Sequence, residues 1–446
     1  MTKATAGFYT ELTLEFILET AWSDLPASVR RQSKRCLLDT LGALLAGTRT
    51  PVADIMERMV LDQFEGNQAH ILGSGRTASA AGAALANGFA GNALDIDDGY
   101  RLVKGHPGAC VLPPILAATE IAGGVSGESF LTALVVGYEL GIRAGMIRHA
   151  RYPTYHSSGS WGAISGAGAA GKILGLDRST LTHAMGAAEY HAPLAPMMKG
   201  IDTPAMTKDS IGWGCMTAVL SVLMARKGFT GIVPIFEETP DPEWIQGMGN
   251  RYETLNLYFK PYAACRWAQP AVDGALKILR EHRIGPEAVK TIQVRTFEAA
   301  SRLSRGYPRN TEEAQYNMAF PIAAGLIDGE VGPSQVLPPR LFDRDIQCLM
   351  DRVSVVPVDA FEAAFPAKAL AEVVITTADG RSLTSGVMAA GWEPPDTLPS
   401  DAELRAKFEW LVTPVLGPDR TRALAAAVAG FDRLEDARDL IALCCG

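Results

Sequence analysis

The sequence predicts a mainly α-helical fold with an inserted α+β domain, that is, a large helical-bundle domain plus a smaller α+β lid domain. Its 446 residues are too many for one ordinary hydrophobic core. Apolar residues follow a helical period over the first 270 positions, and period-two alternation begins only after Pro270. We therefore expect the helical domain to comprise residues 1–268 and 400–446, and the lid domain residues 269–399.

Apolar side chains recur at helical spacing in most of the predicted helical domain. The predicted helices cover residues 29–45, 78–94, 130–146, 162–176, 210–227, 402–411 and 421–428. Two of them, 78–94 and 162–176, consist largely of Ala and Gly, which lets neighbouring helices approach closely. Each helical glycine costs roughly 1 kcal/mol, so tight packing must offset that loss.

Strand signals are confined to the predicted lid domain. Residues 291–296 alternate at period two, and residues 353–358 are a second candidate strand. Residues 371–377 and 382–384 flank an Asp379-Gly380 pair, which is typical of a β-hairpin turn.

Composition excludes several classes of function. Apolar residues make up 48% of the chain, and 41 Lys and Arg against 49 Asp and Glu give a net charge of −8. An acidic protein is a poor ligand for nucleic acid or for an anionic membrane surface. The longest apolar stretch, 131–145, is interrupted by Glu139 and Arg143, so we expect no membrane span. Seven cysteines without a CxxC pair indicate reduced thiols and a cytoplasmic location.

One glycine motif resembles a nucleotide-binding loop. Residues 166–171, GAGAAG, match GxGxxG, but the preceding segment does not read as a strand. Helix packing is therefore favoured over dinucleotide binding.

The most polar stretch of the helical domain is 92–114. Asp95, Asp97 and Asp98 precede His106, which a following proline holds on a loop. Such acids often cap helices or face solvent, but a carboxylate can also orient a histidine for proton transfer. A metal site of Asp97, Asp98 and His106 lacks a second histidine at suitable spacing, so we expect no metal.

Further candidates lie beside predicted helix starts. Tyr155 and His156 precede a run of serines that could cap a helix. Lys208 stands just before another helix, and Lys260 and Arg266 flank Cys265 in a segment with prolines and aromatic residues. Cations in that setting are suited to binding carboxylates.

Seven stretches together resemble the 2-methylcitrate dehydratase-like (MmgE/PrpD) family and run in its order over nearly the whole chain. They are LLDTLGALLAGT (37–48), ANGFAGNALDIDD (86–98), GHPGACVLPPILAATE (105–120), YHSSGSWGAISGAGAAGKILGL (155–176), KGFTG (227–231), YFKPYAAC (258–265) and EEAQYNMAFPIAAGLIDG (312–329). The resemblance implies a helical domain, an α+β lid and a basic active site between them. It also implies a homodimer without metal or organic cofactor.

The family's active-site positions match Asp95, His106, His156, Lys208 and Lys260. Three positions depart from the pattern of its decarboxylase-like members. Gly99 stands where those members have Thr after Asp-Asp, Cys265 where they have His, and Phe320 where they have Tyr. The departures remove polar groups that a leaving-group acid or a carboxylate clamp would supply.

On this basis the sequence predicts a cofactor-independent epimerase acting on an amino-polycarboxylate such as iminodisuccinate. His106, oriented by Asp95, is the first acid/base, and His156 or Tyr155 is the second. Lys208, Lys260 and Arg266 would stabilise the enediolate and bind carboxylates, with Cys265 beside them. The alternatives are a 2-methylcitrate-type dehydratase, a cis-aconitate-type decarboxylase, or a non-catalytic binding protein on the same scaffold.

Overall fold

The computed structural model describes residues 7–395 and 397–445, so the predicted domain ends at 1–6 and 446 lie outside it, as does residue 396. About 60% of the described residues are helical. The helices are α1 (Phe8–Glu19), α2 (Ala27–Gly47), α3 (Pro51–Gln63), α4 (Ala80–Asn92), α5 (Pro107–Ile121), α6 (Gly127–Arg151), α7 (Gly159–Ile173), α8 (Arg178–Tyr190), α9 (Met197–Asp202), α10 (Ile211–Ala225), α11 (Glu243–Gln246), α12 (Gln269–His282), α13 (Glu298–Ser301), α14 (Thr311–Gln315), α15 (Ala319–Asp328), α16 (Pro333–Val336), α17 (Arg344–Met350), α18 (Asp359–Ala364), α19 (Asp401–Leu416), α20 (Pro418–Ala429) and α21 (Arg438–Cys444).

Helix α7 is the centre of the helical core and packs against α5, α6, α8 and α10. Its small residues make this possible, as the sequence predicts. A Cβ atom on Gly166 would lie 2.8 Å from the Pro114 ring and 2.9 Å from Ala218. The GAGAAG motif lies wholly inside this buried helix, so its glycines serve helix packing.

Among the residues that the structure describes, six strands form two sheets. They are β1 (Ala69–Ile71), β2 (Arg76–Ala78), β3 (Val289–Thr296), β4 (Val353–Pro357), β5 (Leu370–Thr377) and β6 (Ser382–Ala389). The larger sheet has the order β4-β3-β5-β6, in which β3 and β4 are parallel and the other pairs antiparallel. Helix α12 covers β5 and β6. The predicted strands are confirmed, whereas the short β1–β2 hairpin was not predicted.

The predicted fold class is confirmed, because a helical core and a mixed α+β unit are both present. After the sheet, α19 returns to pack on α2 in the helical core. The ion pair between Lys407 on α19 and Asp39 on α2 joins these two distant parts of the chain. The exact domain boundaries stay a prediction.

Helix α6 is long and apolar enough to cross a membrane. However, 94% of its apolar window is buried inside the protein. Arg143 in the middle of α6 is also buried and pairs with Glu139. Helix α6 is therefore best explained as a core helix.

Candidate active site

A cavity with about 630 Å³ of empty space, counting the part that is open solvent, lies between the helical core and the chain that follows residue 257. Many of its wall residues are charged or aromatic. The ionisable groups on the walls, tyrosines and Cys265 aside, are Asp95, Arg101, Lys104, His106, Asp209, Lys260, Arg266 and Glu393. The predicted site residues Tyr155 and Cys265 also line the cavity. The tertiary fold thus brings six of the eight predicted site residues to one place.

His106 lies between two buried carboxylates. Its Nε2 atom is 3.3 Å from Asp95 Oδ1, and its Nδ1 atom is 3.1 Å from Asp97 Oδ2, although this second pair is poorly aligned for a hydrogen bond. His106 is the N-cap residue of helix α5, in which Pro107 occupies the first helical position. Only 7% of His106 is exposed, so both carboxylates act on it with little screening by water.

This environment sets the protonation state of the imidazole. Burial by itself would lower the pKa of His106, but Asp97, Asp95 and Asp209 together raise it to about 9. For Asp97, burial would raise the pKa, but His106, Lys260 and Asn92 lower it below its usual value. At neutral pH the His106 side chain is therefore an imidazolium, which can donate a proton.

Lys260 completes the cluster, because its Nζ atom is 2.7 Å from Asp95 Oδ1 and the residue is only 1% exposed. Backbone strain accompanies this arrangement. Asp95, Lys208 and Ser210 are non-glycine residues with φ of 51°, 39° and 56°. Such conformations persist where surrounding structure holds them, and they are often found at active sites.

Three side chains of this cluster could offer ligand atoms to a metal ion. Asp95, Asp97 and His106 offer ligand atoms within 4.8 Å of one another. However, the Lys260 ammonium group already contacts the Asp95 carboxylate, and the two carboxylates flank a protonated imidazole. A cation here would meet two positive groups, so this chemistry favours an ion-pair network over a metal centre.

A hydrogen-bond chain positions the backbone of His106. The Ser158 hydroxyl donates to Asp209 Oδ1 at 2.8 Å and accepts from the His106 N–H at 3.1 Å. The Tyr316 hydroxyl lies 3.3 Å from the other oxygen of Asp209. The serines before α7 therefore do not cap the helix with their side chains, since Ser158 serves the His106 loop instead.

The remaining predicted wall residues have defined protonation states or partners. Burial, together with Asp95, raises the pKa of the Cys265 thiol to about 12, so it is a neutral thiol and a poor nucleophile. Burial also holds the pKa of Tyr155 well above its usual value, and its hydroxyl donates to the Lys104 carbonyl. The Arg266 guanidinium lies 4.3 Å from the centre of the Tyr258 ring.

Two predicted site residues do not line the cavity. Lys208 lies behind the wall, where its Nζ atom donates to the Asn92 carbonyl and, at 2.6 Å, to Gln315 Oε1. The ring of His156 stacks on His149 with centroids 6.3 Å apart. A direct role for either residue in substrate contact stays a prediction.

The three departures from the family pattern have different structural consequences. Phe320 is fully buried in α15 and does not reach the cavity, whereas Cys265 does. Gly99 makes room for Tyr258, because a Cβ atom there would lie 2.3 Å from that ring. The Gly99 departure therefore shapes the aromatic surface on which Arg266 rests.

Sequence reasoning missed several wall residues, namely Arg101, Lys104, Asp209, Tyr258, Tyr316 and Glu393. Arg101 and Lys104 belong to the polar stretch that contains His106, so their position between apolar segments was an available signal. Glu393 lies in a proline-rich segment that reads as a linker, and no local signal marks it.

Comparison with known proteins identifies the family of this chain. The model of the MmgE/PrpD N-terminal domain matches residues 12–250, and that of the C-terminal domain matches residues 262–433. The chain belongs to the MmgE/PrpD family. The family resemblance predicted from the sequence motifs is thus confirmed.

Several curated relatives are similar to this chain over almost their full length. A cis-aconitate decarboxylase-like protein, oryM, of Aspergillus oryzae is 25% identical over 97% of this chain and 96% of its own. The cis-aconitate decarboxylase of Aspergillus terreus is 23% identical over 95% and 93%. The human cis-aconitate decarboxylase is 25% identical over 93% and 90%. These relatives support an enzyme and favour the decarboxylase alternative over the predicted epimerase.

Proposed function

We propose that this protein is a cofactor-independent decarboxylase of an unsaturated polycarboxylate of the cis-aconitate type. The observation that carries the proposal is the imidazolium of His106, held on the cavity wall by two carboxylates at a pKa of about 9. Decarboxylation requires a proton donor, because the carbanion left by CO₂ must be protonated. The names of the curated relatives support the same choice.

The reaction removes a carboxylate from a carbon attached to a carbon–carbon double bond. As the C–C bond to CO₂ breaks, its electron pair moves through the double bond to form an enediolate on the conjugated carboxylate. His106 then donates its proton to the carbon next to that carboxylate and regains a proton from water. No oxidant or reductant is consumed.

Cations near the cavity floor stabilise this charge. Lys260, with its Nζ atom 2.7 Å from Asp95, is assigned to the carboxylate on which the enediolate develops. Arg266, whose guanidinium lies over Tyr258 and pairs with Glu393, is open only to a carboxylate that competes with Glu393. The thiol of Cys265 and the phenol of Tyr155 stay protonated, because burial raises the pKa of each.

The epimerase predicted from the sequence is less well supported. It requires a base on one face of a planar intermediate and an acid on the other. Of the two candidates for the group opposite His106, His156 does not line the cavity, and Tyr155 donates its hydroxyl to the Lys104 carbonyl. A dehydratase would use the His106 proton for a leaving hydroxyl, but it also needs a base.

Proton NMR in D₂O, combined with CO₂ detection, tests the proposal. The panel is cis-aconitate, glutaconate, 2-methylcitrate and iminodisuccinate. Release of CO₂ with one deuterium entering the carbon next to the retained carboxylate is the expected result. Water loss from methylcitrate without CO₂ would establish the dehydratase instead. Deuterium exchange confined to iminodisuccinate would restore the epimerase.

A further inference from the structure

Glu393 places a carboxylate inside a cavity otherwise suited to anions. Its Oε1 atom is 2.6 Å from Arg101 Nη1, and its Oε2 atom is 3.0 Å from Arg266 Nη2. The side chain of Glu393 is 17% exposed and that of Arg266 is 9% exposed. Glu393 therefore occupies guanidinium donors that a substrate carboxylate would otherwise use.

The backbone around Glu393 is held on both sides. The Trp392 carbonyl accepts the Phe259 N–H at 3.0 Å, and the Ala390 carbonyl accepts a hydrogen bond from Arg266 at 3.2 Å. The Glu393 N–H itself donates to Thr397 Oγ1 at 3.0 Å. The carboxylate is thus positioned by its own segment as well as by the two arginines.

The charges on the cavity walls determine how much negative charge of a bound ligand the site can neutralise. Five groups are positive, namely Arg101, Lys104, His106, Lys260 and Arg266, and three are negative, namely Asp95, Asp209 and Glu393. The net charge of these wall groups is therefore +2. Asp97 and Lys208 lie behind the walls, and their opposite charges cancel. Without the carboxylate of Glu393 the balance would be +3.

We propose that Glu393 determines substrate specificity, selecting polycarboxylates with two carboxylates over those with three. This inference rests on the proposed polycarboxylate substrate and narrows its class to dicarboxylates that share the reacting group of cis-aconitate, such as glutaconate, so that cis-aconitate itself, with three carboxylates, is the poorer ligand. Two carboxylates can pair with the positive groups nearest His106 and Lys260. A third, directed to Arg266 and Arg101, meets the negative charge of Glu393, and such repulsion discriminates between ligands.

Ligand binding tests this specificity without any need for turnover. Isothermal titration calorimetry on the full chain compares glutarate, with two carboxylates, with tricarballylate, which adds a third to the same backbone. We expect the wild-type protein to bind glutarate more tightly. Glu393→Gln should shift the affinity ratio toward tricarballylate by about tenfold or more.

Two variants control this measurement. Glu372→Gln removes an ion pair with Arg295 outside the cavity, and the ratio should not change. Glu393→Asp keeps the negative charge and should keep the preference for two carboxylates. If Glu393→Gln changes both affinities by the same factor, or changes neither, the affinity ratio stays the same. Glu393 then does not distinguish ligands by their number of carboxylates, and the specificity proposal is wrong.

Turnover is measured separately with cis-aconitate and glutaconate. If neither substrate releases CO₂ but the affinity ratio shifts in Glu393→Gln, the decarboxylase proposal fails and the specificity proposal stands. If CO₂ is released but the ratio does not shift, the reverse holds. The two proposals therefore fail on different readouts.

Discussion

The loop between α4 and α5 contributes to two buried clusters of acidic and basic groups with different fates. The cavity cluster consists of Asp95, His106 and Lys260 and lines the cavity. The sealed cluster consists of Asp39, Asp98, Tyr138 and Lys407 and lies in the helical core. The two clusters are formed by similar residue types, and a few residues of loop separate them.

The sealed cluster limits its charge. Burial, with Asp39 nearby, raises the pKa of Asp98 to about 8, so that this side chain is mostly neutral at pH 7, and the Tyr138 hydroxyl and the Gly108 N–H bond to it. Lys407 contacts Asp39 and donates to the Ile96 carbonyl at 2.7 Å. This cluster therefore fixes the loop.

The cavity cluster keeps its charges instead, because Lys260 and the His106 imidazolium compensate Asp95 and Asp97. Its groups face a cavity that is partly open to solvent. Access to the cavity, rather than burial or residue type, therefore distinguishes the two clusters of this loop.

The largest effect is expected for His106→Gln. Removing the proton donor should lower kcat by roughly 10²–10⁴ while the fold persists, because glutamine retains polar contacts. Steady-state CO₂ release measures the effect. His282→Gln, at an exposed histidine, is the control and should leave the rate unchanged. A wild-type rate in His106→Gln would remove this residue from the mechanism.

The second-largest effect is expected in the sealed cluster. Lys407→Met leaves Asp39 buried without its partner, so unfolding free energy should fall by about 3–5 kcal/mol. Urea denaturation measures it. Arg405→Met, at an exposed ion pair on the same helix, should cost less than about 1 kcal/mol. Normal stability with lost turnover in Lys407→Met would place the sealed cluster in the chemistry.

The pH dependence distinguishes a proton donor from a base. With the His106 pKa at about 9, kcat/KM for a donor should stay level through neutral pH and fall about tenfold per unit above pH 9. The ion pairs of the imidazolium also stabilise the fold below about pH 6.5, and this contribution is lost as pH rises through about 9. A rate that rises through pH 9 would indicate that His106 is a base.

The smallest effect is expected for Cys265→Ser. The thiol is neutral because its pKa is about 12, and serine keeps a small polar group on the wall. Turnover should change by less than about fivefold, since no thiolate is involved. A loss of a hundredfold or more, without altered substrate affinity, would make Cys265 a catalytic residue.

Periodic sequence patterns predicted much of the architecture. The Ala/Gly-rich stretch at 162–176 predicted a tightly packed helix, and α7 is that helix. Period-two alternation at 291–296 predicted strand β3. The β1–β2 hairpin was not predicted, because its three-residue strands are too short to show a period of two residues.

The sequence by itself determined the fold class, the family and the association of Asp95 with His106, because hydrophobic periodicity and short motifs are local properties of the chain. Only the tertiary structure decided the partners of His106, the place of Lys208 behind the wall, and the entry of Glu393 into the cavity. Glu393 is 292 residues from Arg101, and no local pattern records such a contact. The protonation of His106 likewise depends on burial and on surrounding carboxylates, which exist only once the chain has folded.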